Sequence, residues 1–339
     1  MPTERRAIFD VSWRAIAKVL AAAALVWAWL QLWQFVMAIL AAIVIAIALD
    51  PLVRHLEARR VPRWAGAFGA VLLLTAVLVA MVAASWMSLT EQSRFIVQNI
   101  STFYHQLLES YPVIHRLAPS GSEGFGQYVL SVGRSMSNAV ALFFVALVLT
   151  AYLLIEWKST VEWLVAFVPE QHRAKVRRTF AEARESIFHY VVGNVITSAI
   201  TAFATFVALA ALGVPAALML AVIAGVFDFI PVVGFLASLA ITALLAATVS
   251  PAVLIGVVMF YFAFNAFENY FLMPKVYGRE LELSNLAVLV AIAVGAQLGG
   301  VMGALLALPI AGTYPAIERI WLRNRLGSDT VEIHKRLSA

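Results

Sequence analysis

Two stretches decide how this chain is built: GVFDFIPVVG at 225–234 and GAQLGGVMG at 295–303. Each interrupts an apolar run, 216–249 and 285–317, in which Asp228 is the only charged residue. Runs of this length would form straight helices of about 50 Å, well beyond the roughly 30 Å hydrocarbon core of a bilayer. Glycine frees the backbone, and proline removes a donor and clashes with the preceding turn. Each run is therefore either one long kinked crossing, giving eight spans in all, or a re-entrant hairpin of two short helices.

Working outward, each interrupted run follows an apolar helix. The first helix covers 187–212 and is stopped by Gly213-Val214-Pro215; the second covers 252–273 and is stopped by Pro274. The plan is a repeat of helix plus broken helix. The hairpin reading returns the second helix to the side where the first began. Lys275 and Arg279 then become cytoplasmic, as the positive-inside rule prefers, and the two units have inverted topology. Paired interruptions at matching positions are the sequence mark of a transporter site, because lipid cannot satisfy the backbone groups that a break exposes.

Composition agrees. The chain has 339 residues, 63% apolar and 13% charged, with 24 basic and 19 acidic side chains, a net charge of +5 and no cysteine. Soluble domains carry about 25% charged residues, so this chain cannot clothe a soluble surface and is expected to be an all-α polytopic membrane protein. Disulfide scaffolds and cysteine-ligated metals are excluded by the missing cysteine. The modest charge belongs to loops and gives no reason to expect nucleic acid as a partner. No H-E-x-x-H, G-x-S-x-G or P-loop pattern occurs, so neither an enzyme nor an ATP-driven pump is expected, with no catalytic residues, metal or cofactor. Active transport would draw on H+ or Na+.

The N-terminal half divides by charge. Residues 1–90 are expected to hold a helical hairpin, turning near Gln31–Gln34 between basic flanks (Arg5, Arg6, Arg14, Lys18 and Arg54, Arg59, Arg60, Arg63), and then one outward span. Residues 91–138 are charge-balanced, with Ile96, Ile100, Phe103, Leu107 and Tyr111 at helical spacing, which suggests an external amphipathic helix. A span at 139–155, a basic amphipathic cytoplasmic segment at 156–186, the repeated core at 187–320 and a cytoplasmic tail at 321–339 complete the order. This scheme places both termini in the cytoplasm.

Within the core, ionisable residues in apolar surroundings are functional candidates. Asp228 sits inside the first break, and could hold a cation or proton, accept from a solute hydroxyl, or cap the following half-helix. Glu268 lies in FNAFENYFLMP, six residues before Pro274. Asn265 shares its face at i−3, and Asn269 adjoins it. Asn194 and Gln297 are neutral hydrogen-bonding groups in apolar helices, where such residues also simply join helices. Pro231, Gly234, Pro274, Gly299 and Gly300 are expected to shape the breaks.

These residues carry a family resemblance. YVVGN at 190–194, LGVPAAL at 212–218, FIPVVG at 229–234, ENYFLMPKVYG at 268–278 and GGVMGALLALPIAG at 299–312 resemble, in order and spacing, the autoinducer-2 exporter (PerM-like) family of bacterial membrane proteins. The upstream LDPLVRHLEARRVPRWAG at 49–66 fits as well. The resemblance implies an inner-membrane exporter of small polar molecules such as autoinducer-2, with sodium–proton antiport in other members. It also implies a homo-oligomer, up to a pentamer. Pro231-Val232 stands where the family has Pro-Tyr, Phe235 where it often has Pro, and Asn265 where Gln is frequent. Three functions follow as expectations: solute export, sodium/proton antiport, or a non-transporting scaffold.

Overall fold

The computed structural model describes residues 13–84, 122–277 and 284–322. Among these there is no strand. Six helices are long and apolar enough to cross a membrane, and two shorter apolar helices accompany them. The chain is a multi-pass membrane protein. The external helix expected around 96–111, the charged loop at 278–283 and most of the C-terminal tail lie outside the described residues.

Helix α1 runs unbroken over Trp13–Ala58, 46 residues, or about 69 Å. The hairpin expected at Gln31–Gln34 is not there. The stretch between the basic flanks has no glycine or proline and is rich in alanine and leucine, the best helix formers; two glutamines are no reason to stop. Arg14 and Lys18 stand at one end of this helix and Arg54 at the other, so the argument for two crossings between them does not hold. A tight turn at 59–62 leads into α2, Arg63–Ala84. Helix α3, Ser122–Ala166, absorbs the expected 139–155 span and continues past it on both sides. Helix α4, Glu170–Ala211, follows after a three-residue corner. The basic segment expected at 156–186 is thus the end of α3 and the start of α4, tied by Arg177 to Glu162 at 2.7 Å.

Small side chains let α1, α2 and α3 approach closely, as membrane helices require. Ala38, Ala41 and Ala42 of α1 are buried against Ala146 of α3, and Ala46 packs with Ala67 and Ala70 of α2. One buried carboxylate anchors this scaffold to the rest. Asp50 is 4% exposed and is paired with Arg54 of its own helix, Arg63 of α2 at 3.2 Å, and Arg184 of α4. Arg63 also donates to the Leu154 carbonyl of α3 at 2.8 Å. Four helices therefore meet at one residue, which defines the basic end of the bundle.

Helix α4 ends as the sequence predicts. Gly213 adopts φ +67, its amide donates to the Ala210 carbonyl, and the Val214 amide donates to that of Leu209. This glycine-turned cap satisfies carbonyls that would otherwise face lipid. The chain then returns alongside α4 as α5, Ala217–Asp228. It reverses over 229–232 and climbs again as α6, Val233–Ala247. Leu220 of α5 and Leu245 of α6 share a cluster with Leu209 of α4, so the open ends of α5 and α6 lie together. At about 18 and 22 Å, neither helix spans the core. The first interrupted run is a re-entrant hairpin whose tip reaches only the middle of α4, at Ser198.

Helix α7, Pro251–Phe267, descends from a Ser250 cap. It does not stop at Pro274. A π-helical turn, Glu268–Leu272, leads directly into α8, Met273–Tyr277. The wide turn sits where the proline ring would crowd the preceding turn and where its missing N–H would leave a carbonyl unpaired. Helix α9, Asn285–Ala311, has non-helical backbone at Gly299 and Gly300, with Gly300 at φ +59, ψ −142, a conformation open essentially to glycine alone. Gly295 and Gly303 press backbone to backbone, although eight residues of straight helix would separate them by about 12 Å. Ile292 likewise packs with Ala304 and Leu308. The second run is therefore also a hairpin, entering from the basic end, where Gly312 accepts from Ser186 at 2.7 Å. Its tip rests on α1: Trp33 donates to the Leu298 carbonyl, and Met37 faces Gly299. Helix α10, Tyr314–Ile317, and a second π turn, Glu318–Leu322, close the described chain against α4, with Trp321 donating to Thr179 at 2.9 Å.

Two expectations follow. Asp50→Ala leaves three arginines around an empty position and should cost about 3–5 kcal/mol, measurable as a large drop in thermal stability in detergent. In the cysteine-free chain, single cysteines at Trp64 and Tyr277 should be labelled by an impermeant thiol reagent from the same membrane face, whereas a crossing at 216–249 would put them on opposite faces.

Candidate functional site

The hairpin tip owes its shape to four residues. The Gly234 amide donates to the Ile230 carbonyl at 2.7 Å, and that of Val233 donates to Pro231 at 2.7 Å. Val232, at φ 67, ψ −55, is thus the centre of a γ-turn of the rarer, strained hand. A β-branched residue held there costs on the order of 1–3 kcal/mol. A Cβ on Gly234 would collide with the Phe227 carbonyl, so only glycine lets the chain double back this tightly. The result fixes Asp228, the last residue of α5, at mid-bundle.

Asp228 accepts from Ser198 of α4 at 3.0 Å. On its other side stands Glu268, the first residue of the π turn, 8% exposed. The two carboxyl groups face each other beside one cavity. Pro274 and Asp228 are thereby linked: the proline requires the wide turn, and the wide turn aims Glu268 at the hairpin tip. Two carboxyl groups this close cannot readily both be charged, so the pair can share one proton.

A cavity of about 20 Å³ opens beside the pair, lined by polar residues of α4, α6 and α7. That is room for one water or a bare ion; sites for small organic ligands run to about 300–1,000 Å³. Asn265 lines it, one turn from Glu268, as its spacing suggests. Asn269 does not: it is exposed and donates to the Asn265 carbonyl at 2.8 Å. Asn194 is buried on α4, one turn from Ser198 toward the basic end, with its carbonyl accepting from Thr197 at 3.0 Å. Gln297 is exposed near the tip of the second hairpin and is not brought to the cavity. Pro231 and Gly234 shape the first tip, Gly299 and Gly300 the second, and Pro274 the turn that carries Glu268.

The structure adds residues that motif reading passed over: Ser198, Thr201, Thr205, Ser238 and Tyr261. Asn194, Thr197, Ser198, Thr201 and Thr205 form a buried polar stripe at helical spacing on α4, and that periodicity is the signal that could have found them. Among the described residues no group of three or more His, Asp or Glu is placed to hold a metal ion.

Two inverted units, each a helix followed by a re-entrant hairpin, with a carboxyl pair at the break, define a membrane transporter architecture. The chain belongs to the AI-2E family of transporters, whose model matches residues 17–323. It is similar to the AI-2 transport protein TqsA of Escherichia coli, 26% identical over 88% of this chain and 89% of that one. It is also similar to a putative transport protein, MT0215, of Mycobacterium tuberculosis, 29% identical over 60% of this chain; that match spans just over half, 56%, of the relative's length. The putative transport protein YhhT of E. coli is 24% identical over 88% of this chain.

Gly234→Ala should separate Asp228 from Glu268 and abolish transport while the α1–α3 scaffold stays folded. Reconstituted flux and thermal unfolding, measured together, test this.

Proposed function

We propose that this protein is a secondary transporter of the bacterial inner membrane that exports a small polar solute of the autoinducer-2 type, coupled to proton movement through Asp228 and Glu268. The observation that carries the reading is the carboxyl pair at the tip of a re-entrant hairpin. A carboxylate in a bilayer interior is costly unless it serves an ion or proton path, and here two are brought together. Membership of a transporter family and the likeness to an AI-2 transport protein support the solute class. In this reading the basic end faces the cytoplasm, following the positive-inside rule, and the C-terminal tail lies there too. The cavity holds a proton, water or ion but is too small for a furanosyl ring. The solute therefore passes only when the hairpins shift against the α1–α3 scaffold, as in alternating access. Association as a homo-oligomer, up to a pentamer, belongs to the same reading, with the exposed apolar faces of the scaffold as contacts.

A specific observation favours a second reading, sodium/proton antiport. The carboxyl pair and the Thr201, Thr205 and Ser238 hydroxyls around the cavity form an all-oxygen donor set of the kind that binds hard cations. Reconstituted flux against sodium, protons and furanosyl compounds separates the readings. Asp228→Asn and Glu268→Gln should each lower proton-coupled solute export by at least about a hundredfold, the typical contribution of a positioned acid–base group. Loss of pH-driven sodium movement with no solute flux would favour the antiporter. Solute export unchanged by both substitutions sinks the proton-coupled proposal, and no flux of any species would leave the scaffold reading.

A further inference from the structure

Helical serine and threonine hydroxyls ordinarily donate to a carbonyl one turn back. Several in this chain do so: Thr75 to Val71 at 2.8 Å, Thr150 to Ala146 at 2.7 Å and Thr179 to Lys175 at 2.9 Å. Three depart from the pattern. The hydroxyls of Thr201, Thr205 and Ser238 are buried and lack a hydrogen bond of good geometry, with Thr201 facing the Asp228 carboxyl and Thr205 the Tyr261 phenol. Their residues are 8%, 1% and 4% exposed. All three line the cavity beside the carboxyl pair. An unsatisfied buried polar group costs about 1–3 kcal/mol, so three in one small space call for a shared occupant. The space is the size of one water and presents several oxygens among apolar side chains, and a buried water takes two to four polar partners.

The hydroxyls also stand in register. Helices α4, α6 and α7 present side chains in matching steps of about 6 Å, one helical turn. Asp228 and Glu268 occupy the first level with Ser198. One turn toward the end away from Asp50 come Thr201 and Ser238. The next level holds Thr205 with Tyr261, whose phenol is hydrogen-bonded to Thr242 at 3.0 Å. Above them the packing turns apolar, with Leu209, Leu220, Leu245 and Val257 buried together. On the opposite side of the carboxyl pair α4 buries Thr197, Asn194 and Tyr190, but the facing neighbours Ile230, Met273 and Ile292 are apolar and add no hydroxyl from a second helix.

We propose that Thr201, Ser238, Thr205, Tyr261 and Thr242 form a hydroxyl-lined proton route from the Asp228–Glu268 pair to the membrane face carrying the 212–216 and 248–250 turns, closed in this conformation by the Leu209–Leu220–Leu245 plug. Each hydroxyl accepts one proton and releases another, so a proton taken up at the outer end emerges at the carboxyl pair with no net change in the relay. The single cavity water bridges the gap between the pair and the first hydroxyls. The inference deepens the proton-coupled reading and rests on it.

The test uses the full-length protein in proteoliposomes, where the absence of native cysteine makes single-cysteine variants clean. Ser238→Cys should react with a membrane-impermeant methanethiosulfonate from the face of the 212–216 turn and not from the basic end. Adding Leu245→Ala should speed that labelling at least about tenfold. If Ser238→Cys fails to fold, Thr201→Cys gives the same readout. Tyr261→Phe, which keeps the ring and removes the hydroxyl, should slow pH-driven proton uptake about tenfold at every pH, the loss of roughly one hydrogen bond. Labelling only from the basic end, or no labelling with or without Leu245→Ala, overturns the route. Proton uptake unchanged in both Tyr261→Phe and Thr205→Val overturns it too. A wild-type protein that moves solute without protons overturns the proton-coupled reading itself, which distinguishes the two failures.

Discussion

A backbone that stops being helical inside hydrocarbon must find its hydrogen bonds within the protein, because lipid offers none. Two hairpins reverse direction in the middle of this bundle, and the structure is arranged around satisfying and shielding those reversals. The first tip closes its own bonds through Ile230, Pro231, Val233 and Gly234 and is shielded by α4. The second is held by the Trp33 indole and Met37 of α1. The tips thus have different supports: one stands on a helix of the repeated core, the other on the N-terminal scaffold. A displacement of α4 and the first hairpin against α1 would change the distance between the tips while leaving each intact.

The carboxyl pair follows from the same constraint. Asp228 is where α5 ends, and Glu268 is where α7 widens to admit Pro274. Neither position is regular helix, so each carboxyl sits where the backbone has already departed from its ladder. Small residues complete the arrangement: a Cβ on Gly225 would sit 2.9 Å from the Ala202 Cβ and 3.0 Å from the Ser198 carbonyl, so α5 lies hard against α4 and Asp228 reaches Ser198. At the other end of the bundle, Asp50 gathers arginines from three helices. Among the described residues, one buried acid, Asp50, fastens scaffold to core, while Glu268 and the half-buried Asp228 face a cavity.

Much of this was legible in the residues. The Gly213-Val214-Pro215 stop, the breaks at 225–234 and 295–303, and Asp228 and Glu268 as separate candidates all rest on local chemistry that context cannot easily override: glycine geometry, a missing proline donor, and charge in an apolar run; that the two acids meet was not legible. The expected hairpin in α1 failed because flanking charge was weighed above the lack of any breaker between Lys18 and Asp50. Pro274 was expected to end a helix and instead widened it, a choice made by what packs around it. Asn269 and Gln297 share composition with true cavity residues but point elsewhere, and no spacing rule separates those outcomes.

The sequence by itself determined the class, the two interruptions and the candidate acids, because each depends on a residue's own backbone freedom or on the cost of its charge in hydrocarbon. Only the tertiary structure decided that the runs fold back rather than cross, since that turns on contacts such as Gly295 against Gly303 and Leu220 beside Leu245. It alone also showed which hydroxyls of the α4 polar stripe face the cavity. A helical threonine normally spends its hydroxyl on its own backbone, so the spacing of Thr201 and Thr205 marks a polar stripe and no more. Their distinction arises only when α6 and α7 close over α4 and leave those hydroxyls facing a cavity the size of one water.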